Sequence, residues 1–396
     1  MRKGALPSAT RRRLLKALAA APLAAAAPVF GGSARAERLL VLVFLYGGND
    51  GYNTWVPYSD PLYYALRPHL AVPRDAVLKV TERHGFHPAL EALMPAWQAR
   101  ELALVQGIGN ADATQQHYRD CEMAFTACDG GEFYREGWVS RALARGARDP
   151  LSLADALAFD VLDIQAADPM GPFRGEKLAV VQVHYAFELL AKRRLADCAI
   201  DANPRGRERL ARSSEALAPV ALKTDFPADP FGQAMRATVE LAALDRALPV
   251  IHVALNGLDS EKHHSLDTHW NQLSYHGEAL RRLAEGLAAL RSGLREIGRW
   301  DETLVATYDE FGRSPMENAD EGTHHGLANT HFVLGGRVKG GLLGAAPPMV
   351  RMHPIGGPPP VVDTRRLWST VVERWWESEA AGLFARRYAP LDLLRA

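Results

Sequence analysis

Leu39-Leu-Val-Leu-Val-Phe-Leu-Tyr46, followed at once by Gly47-Gly48-Asn49-Asp50-Gly51, decides the fold. The run has no polar face, so a strand made from it has to be buried on both sides, as in a parallel sheet covered by helices. The glycines then end the strand in a sharp turn. Working outward, His87 to Arg100 carries Leu90, Leu93, Met94 and Trp97 at helical spacing. Leu102 to Gln106 predicts the next strand and Thr114 to Ala127 a helix. A β-α-β-α order with right-handed crossovers predicts an α/β sandwich. From residue 150 to 228 the pattern blurs, with breakers at Asn203-Pro-Arg-Gly and Phe226-Pro-Ala-Asp-Pro, and reads as an insertion or cap. Regularity returns with a helix over Phe231–Ala247, a strand over Val250–Leu255 and a helix over Tyr275–Arg295. Strands over Thr303–Tyr308 and His331–Leu334 and a helix over Thr364–Trp376 complete the pattern.

The N-terminus carries a different message. Thr10-Arg11-Arg12-Arg13-Leu14-Leu15-Lys16 matches a twin-arginine export pattern, an alanine-rich apolar run follows, and Ser33-Ala34-Arg35-Ala36 is an A-x-A cleavage site. The expectation is a signal peptide over residues 1–36, cleaved after Ala36, and a single α/β domain over 37–396. The mature protein would be periplasmic or secreted, with the twin-arginine translocase as its partner during export. No later segment reaches the roughly 20 apolar residues of a membrane span. The 396 residues carry a formal net charge of zero, which gives no basic footprint for nucleic acid. Three cysteines are too few for a disulfide framework. Cys121 and Cys128, two turns apart on one helix, would sit roughly 10 Å from each other, too far for a bridge.

In open parallel sheets, functional groups gather at the carboxyl ends of strands. Three such ends are rich in ligand-type residues. The first holds Asp50, the second runs from Asn256 through Asp259, His263, His264, Asp267 and His269, and the third holds Glu310 and Arg313 with His324 and His325 soon after. Seven of the fourteen histidines lie between residues 263 and 331. A lone histidine is more often structural, but histidines mixed with Asp and Glu at successive strand ends mark a metal or acid/base site.

The motifs Phe44-Leu-Tyr-Gly-Gly-Asn-Asp-Gly-Tyr-Asn-Thr54, Val56 to Pro68, Leu266-Asp-Thr-His-Trp-Asn-Gln272, Asp309-Glu-Phe-Gly-Arg313 and His324 to Gly341 resemble a bacterial family. This is the twin-arginine-exported "domain of unknown function 1501" family, itself similar to the alkaline phosphatase and sulfatase superfamily. The resemblance implies a three-layer sandwich with a mostly parallel central sheet and a helical insertion. It also implies one or two divalent cations that polarise a phosphate or sulfate ester while a Ser, Thr or modified Cys attacks. Carried over residue by residue, the metal ligands would be Asp50, Asp267, His269, Glu310 and His325. Thr114 would be the nucleophile, with His117 one helical turn on, and Arg313 would orient the anion. Thr114 reads equally well as a helix N-cap. Two departures from the family pattern stand out. Asp259, His263 and His264 offer rival ligands where the family's Asp-Thr-His usually follows the strand directly. His324 stands where an aspartate is usual, which adds a nitrogen donor and shifts the expected metal towards zinc over magnesium, calcium or manganese.

The resulting expectation is a periplasmic metal-dependent hydrolase of a phosphate or sulfate ester, acting on a small anionic ester or a polymer. The rival is a non-catalytic exported binding or assembly protein on a degenerate phosphatase-like fold.

Overall fold

A computed structural model describes residues 38–146, 152–159, 170–212, 216–244, 248–255, 266–352 and 356–395. The export motif and Asp259, His263 and His264 lie outside the described residues. The apolar run forms strand β1 (Leu39–Phe44), every residue of it buried. Next come three two-residue strands, β2 (Trp55–Val56), β3 (Leu78–Lys79) and β4 (Gly85–Phe86), which pair as a small antiparallel sheet. The central sheet continues with β5 (Leu102–Gly109), β6 (Ala156–Phe159), β7 (Val180–Val183), β8 (Ala199–Ala202), β9 (Val250–Ala254) and β10 (Thr303–Tyr308). A separate ribbon pairs β11 (Arg313–Glu317) with β12 (Thr323–His325). The strands β13 (Asn329–Leu334), β14 (Gly341–Gly344) and β15 (Val362–Asp363) return to the central sheet.

The order across that sheet is β14-β5-β13-β10-β1-β9-β6-β7-β8, with β15 also on β5. Only the pairings of β13 and of β8 with their neighbours are antiparallel, so the sheet is mostly parallel. β1 sits between β10 and β9 and is parallel to both, with Phe44 level with Tyr308 and with Ala254. The three strands therefore end side by side, and the loops that follow them meet at one edge.

Alternation along β1 builds two cores. Leu39, Val41 and Val43 pack on the side of Leu280, Leu283 and Leu287 from the helix Gln272–Glu296. Leu40, Leu42 and Phe44 pack on the side of Phe125, Trp138, Trp368 and Trp375. Helices on both faces of a mostly parallel sheet make the expected three-layer α/β sandwich. Residues 150–228, expected as an insertion or cap, contribute β6, β7 and β8 to one flank of this sheet. Ala156-Leu-Ala-Phe159 is buried throughout but has no β-branched residue and no alternation, which is why it does not read as a strand. All three cysteines are free and buried.

Candidate metal centre

The loop after β1 is tight because its glycines allow it. Gly47 has φ of 102°, and a Cβ there would lie 2.2 Å from the backbone nitrogen of Asp267. No other residue lets the two loops approach this closely. Asp267 and His269 follow β9, His325 ends β12, and His117 opens the helix His117–Thr126. One ligand atom from each of these four residues lies within 4.8 Å of every other.

Within the group, His269 Nε2 is 2.9 Å from His325 Nε2 and 3.0 Å from Asp267 Oδ1. His117 Nε2 is 3.5 Å from Asp267 Oδ2. The outer nitrogens are held from behind. His117 Nδ1 is 2.9 Å from Glu310 Oε1, and His325 Nδ1 is 2.7 Å from the carbonyl oxygen of Gln115. For His325 the carbonyl acceptor puts the hydrogen on Nδ1 and leaves the Nε2 lone pair facing the group, whereas His117 would have to release its Nε2 proton to bind a metal. Phe311 packs against both rings, with centroids 4.9 Å from His117 and 4.2 Å from His325.

The charges are strongly coupled. Burial opposes ionisation of Asp267, yet its contacts with His117, His269, His325 and Arg313 hold its carboxyl well below the usual range. Burial disfavours a charged His117, but Asp267 and Glu310 outweigh it and push its pKa up to about 9. Burial pushes His325 down, only partly opposed by Asp267, so it is neutral and able to ligate. Burial pushes the Glu310 carboxyl up, its Oε1 accepts from the backbone of Gly47, and its Oε2 has no partner among the described residues. Three imidazole nitrogens and a carboxylate that converge in this way suit a transition metal, so the donor set fits a divalent cation.

The other expected site residues fall around this group rather than in it. Asp50 caps the short helix Gly51–Thr54, and both its oxygens are taken by Arg67, with Gln272 also donating to Oδ2. Glu310 stands behind His117 as its hydrogen-bond partner. The His324 ring is 5.8 Å from that of His269. Arg313 is buried and donates to the carbonyls of Gly47, Gly48 and Thr323 and to Asp267, which it holds in place. Thr114 is exposed and lies ahead of the helix, whose cap position is Gln116. It is therefore neither the cap nor one turn from His117 on a shared helical face. Its hydroxyl donates to Asp120 at 2.8 Å.

An α/β sandwich with a His-His-His-Asp group at its strand ends defines a candidate metalloprotein. Residues 186–357 match a family described as "Protein of unknown function (DUF1501)", so the recognition made from the motifs holds over this segment, which contains Asp267, His269 and His325. No curated protein matches the sequence. Among solved structures, the chain is similar to the lipoteichoic acid synthase LtaP from Listeria monocytogenes, at 10% identity and a TM-score of 0.40, over 89% of this chain and 75% of that one. It is also similar to the C-terminal periplasmic domain of EcEptC from Escherichia coli in complex with Zn, at 11% identity and a TM-score of 0.38, over 75% and 72% of the two chains. A third is the TAB5 alkaline phosphatase mutant with Mg bound, at 11% identity and a TM-score of 0.37, over 87% and 98%. These neighbours are of the kind that the motif resemblance anticipates.

Proposed function

We propose that this protein is an exported, metal-dependent hydrolase of a phosphate or sulfate ester. The observation that supports this reading is the convergence of His117, Asp267, His269 and His325 at the carboxyl edge of the sheet, with two of the imidazoles oriented from behind. Nitrogen-rich ligation favours zinc over magnesium, calcium or manganese, which prefer oxygen. A divalent cation held there supplies Lewis-acid polarisation of an ester oxygen.

The chain's own contribution is positional. The helix His117–Thr126 begins at the group with no side-chain cap, so its first N–H groups and its dipole favour an anion. Thr114, an exposed residue, offers its hydroxyl, which is held by Asp120, as the nucleophile. Tyr118 and Trp270, both exposed and next in sequence to His117 and His269, offer ring faces to the alcohol part of the ester. Arg313 keeps Asp267 charged and aimed. Export by the twin-arginine translocase, cleavage after Ala36 and a periplasmic destination complete the reading. Among the described residues, no helix is long and apolar enough to cross a membrane.

Two observations favour the second reading, a metal-stabilised binding protein. Asp50 is neutralised by Arg67, and the Thr114 hydroxyl is engaged by Asp120. Metal analysis of the purified mature protein, with aryl phosphate and aryl sulfate assays before and after chelation, separates the two. Bound metal with chelator-sensitive hydrolysis supports the enzyme. Bound metal without hydrolysis of either ester transfers the case to the binding protein, and a protein that takes up no metal loses both.

A further inference from the structure

Asp120 lies in the first turn of the helix His117–Thr126 and is buried. It reaches backwards. Oδ1 accepts from the backbone nitrogen and the hydroxyl of Thr114, both at 2.8 Å, and Oδ2 accepts from the backbone nitrogen of Gln115 at 2.6 Å. Gln115 itself has φ of 62°, in the left-handed region. For a residue other than glycine such a backbone costs on the order of 1 kcal/mol or more and persists only where its surroundings impose it. Asp120 holds the Gln115 N–H on one side of this residue, and His325 meets its carbonyl on the other.

The constraint has a target. In this conformation the Gln115 carbonyl points at His325 Nδ1, 2.7 Å away. A carbonyl only accepts, so Nδ1 carries the hydrogen and Nε2 faces Asp267 and His269 as a bare lone pair. We propose that Asp120 is a positioning residue: through the strained Gln115 carbonyl it fixes the tautomer and ring direction of His325. Asp120 is not one of the four residues of the group; besides its contact with the Thr114 hydroxyl, it acts on His325 through the backbone of a neighbouring loop. The Gln115 carbonyl is the group bonded directly to the ligand, and partners of that kind are worth about 10–100-fold in metal affinity, which bounds what Asp120 can contribute through it.

The inference rests on the metal reading for its affinity arm only; the tautomer stands by itself. The experiment records nitrogen-15 spectra of the imidazoles in chelator-treated wild type, Asp120→Ala and Gln115→Pro, with His325 assigned by its loss in His325→Gln. Zinc affinity is measured on the same proteins by competition with a chromophoric chelator. Wild type is expected to show His325 protonated on Nδ1. Asp120→Ala is expected to shift His325 towards the Nε2–H form and to lose about 10–100-fold in zinc affinity. Gln115→Pro leaves Asp120 intact but forces φ to about −65° and removes the N–H, so it is expected to reproduce both effects even if Asp120→Ala does not fold. A role confined to stability would lower the melting temperature and leave the tautomer unchanged. A folded Gln115→Pro with wild-type tautomer and affinity, or a wild type already protonated on Nε2, overturns the proposal. If wild type binds no zinc, the metal reading fails and the tautomer alone decides the role of Asp120.

Discussion

Arg67 Nη1 lies 2.5 Å from Asp50 Oδ2, and both side chains are fully buried. The guanidinium spends all its N–H groups on Asp50, Asn53 and the carbonyls of Ser314 and Pro315. Burial raises the Asp50 carboxyl, but Arg67, His276 and Gln272 more than reverse this and hold it below its ordinary range. A fixed cation therefore already balances Asp50. Replacing Arg67 with methionine should leave an unpaired buried carboxylate and cost about 3–5 kcal/mol, read from urea unfolding. Metal content should stay at one per chain in any folded fraction. Loss of metal from a folded Arg67→Met protein would mean that the Arg67–Asp50 pair supports the metal group after all.

The four-residue group makes a sharper demand. His269→Ala and Asp267→Asn should each abolish tight zinc binding, whereas His324→Ala should retain it, because His324 is outside the group. Elemental analysis after dialysis against equimolar mixed metals is the check. Equal loss in His324→Ala and His269→Ala would bring His324 into the ligand set.

Much of this fold was readable because burial on both faces leaves a signal. β1 and β10 are continuous apolar or β-branched runs, and the observed bounds of β10, Thr303–Tyr308, are those expected. The polar ribbon of Arg313–Glu317 and Thr323–His325 carries no alternation and was not legible, although it places His325. Histidine density pointed to the loops that carry His269 and His325 but not to His117. It could not separate carboxylates that face the group from those that do not. Asp50 differs from Asp267 because Arg67 folds back onto it across 17 residues, and Glu310 stands behind His117 because that helix begins where it does. Nothing in the local pattern around Asp50 or Glu310 encodes those long-range partners.

Thr114 gives a direct test of catalysis. Thr114→Val keeps the shape and the backbone N–H to Asp120 but removes the hydroxyl, so the folded protein should keep its metal and lose ester hydrolysis by at least 100-fold, an order of magnitude set by loss of a covalent nucleophile. Steady-state assays with aryl phosphate and aryl sulfate read this. Undiminished turnover in a stable variant would leave water as the attacking group.

Export is tested apart from chemistry. The receptor reads a guanidinium pair, whose fork lysine does not reproduce. Changing Arg11 and Arg12 to lysine should leave precursor in the cytoplasm, and Edman sequencing of the wild-type mature form should begin at Glu37. Processed periplasmic protein from the double-lysine variant would contradict the twin-arginine reading.

Acid should unfold this protein through its buried histidines. His252 and His276 are almost fully enclosed, His252 against Tyr308 and His276 against Asn49. Burial pushes each down to about 3, with Asp50 only partly opposing it at His276. The unfolded chain takes up these protons near pH 6.5 and the folded chain does not until about 3, so the unfolded state binds more protons throughout that interval. Stability is therefore full above pH 6.5 and falls as the pH drops, by at most about 1.4 kcal/mol per pH unit for each histidine. Urea unfolding of chelator-treated protein at pH 7.5, 6 and 5 measures the slope. His276→Gln, which can keep a hydrogen bond to Asn49 but cannot titrate, should remove about one proton from the uptake on unfolding. An unchanged slope in that variant would mean that His276 is already protonated in the fold, held by Asp50 rather than excluded from charge by burial.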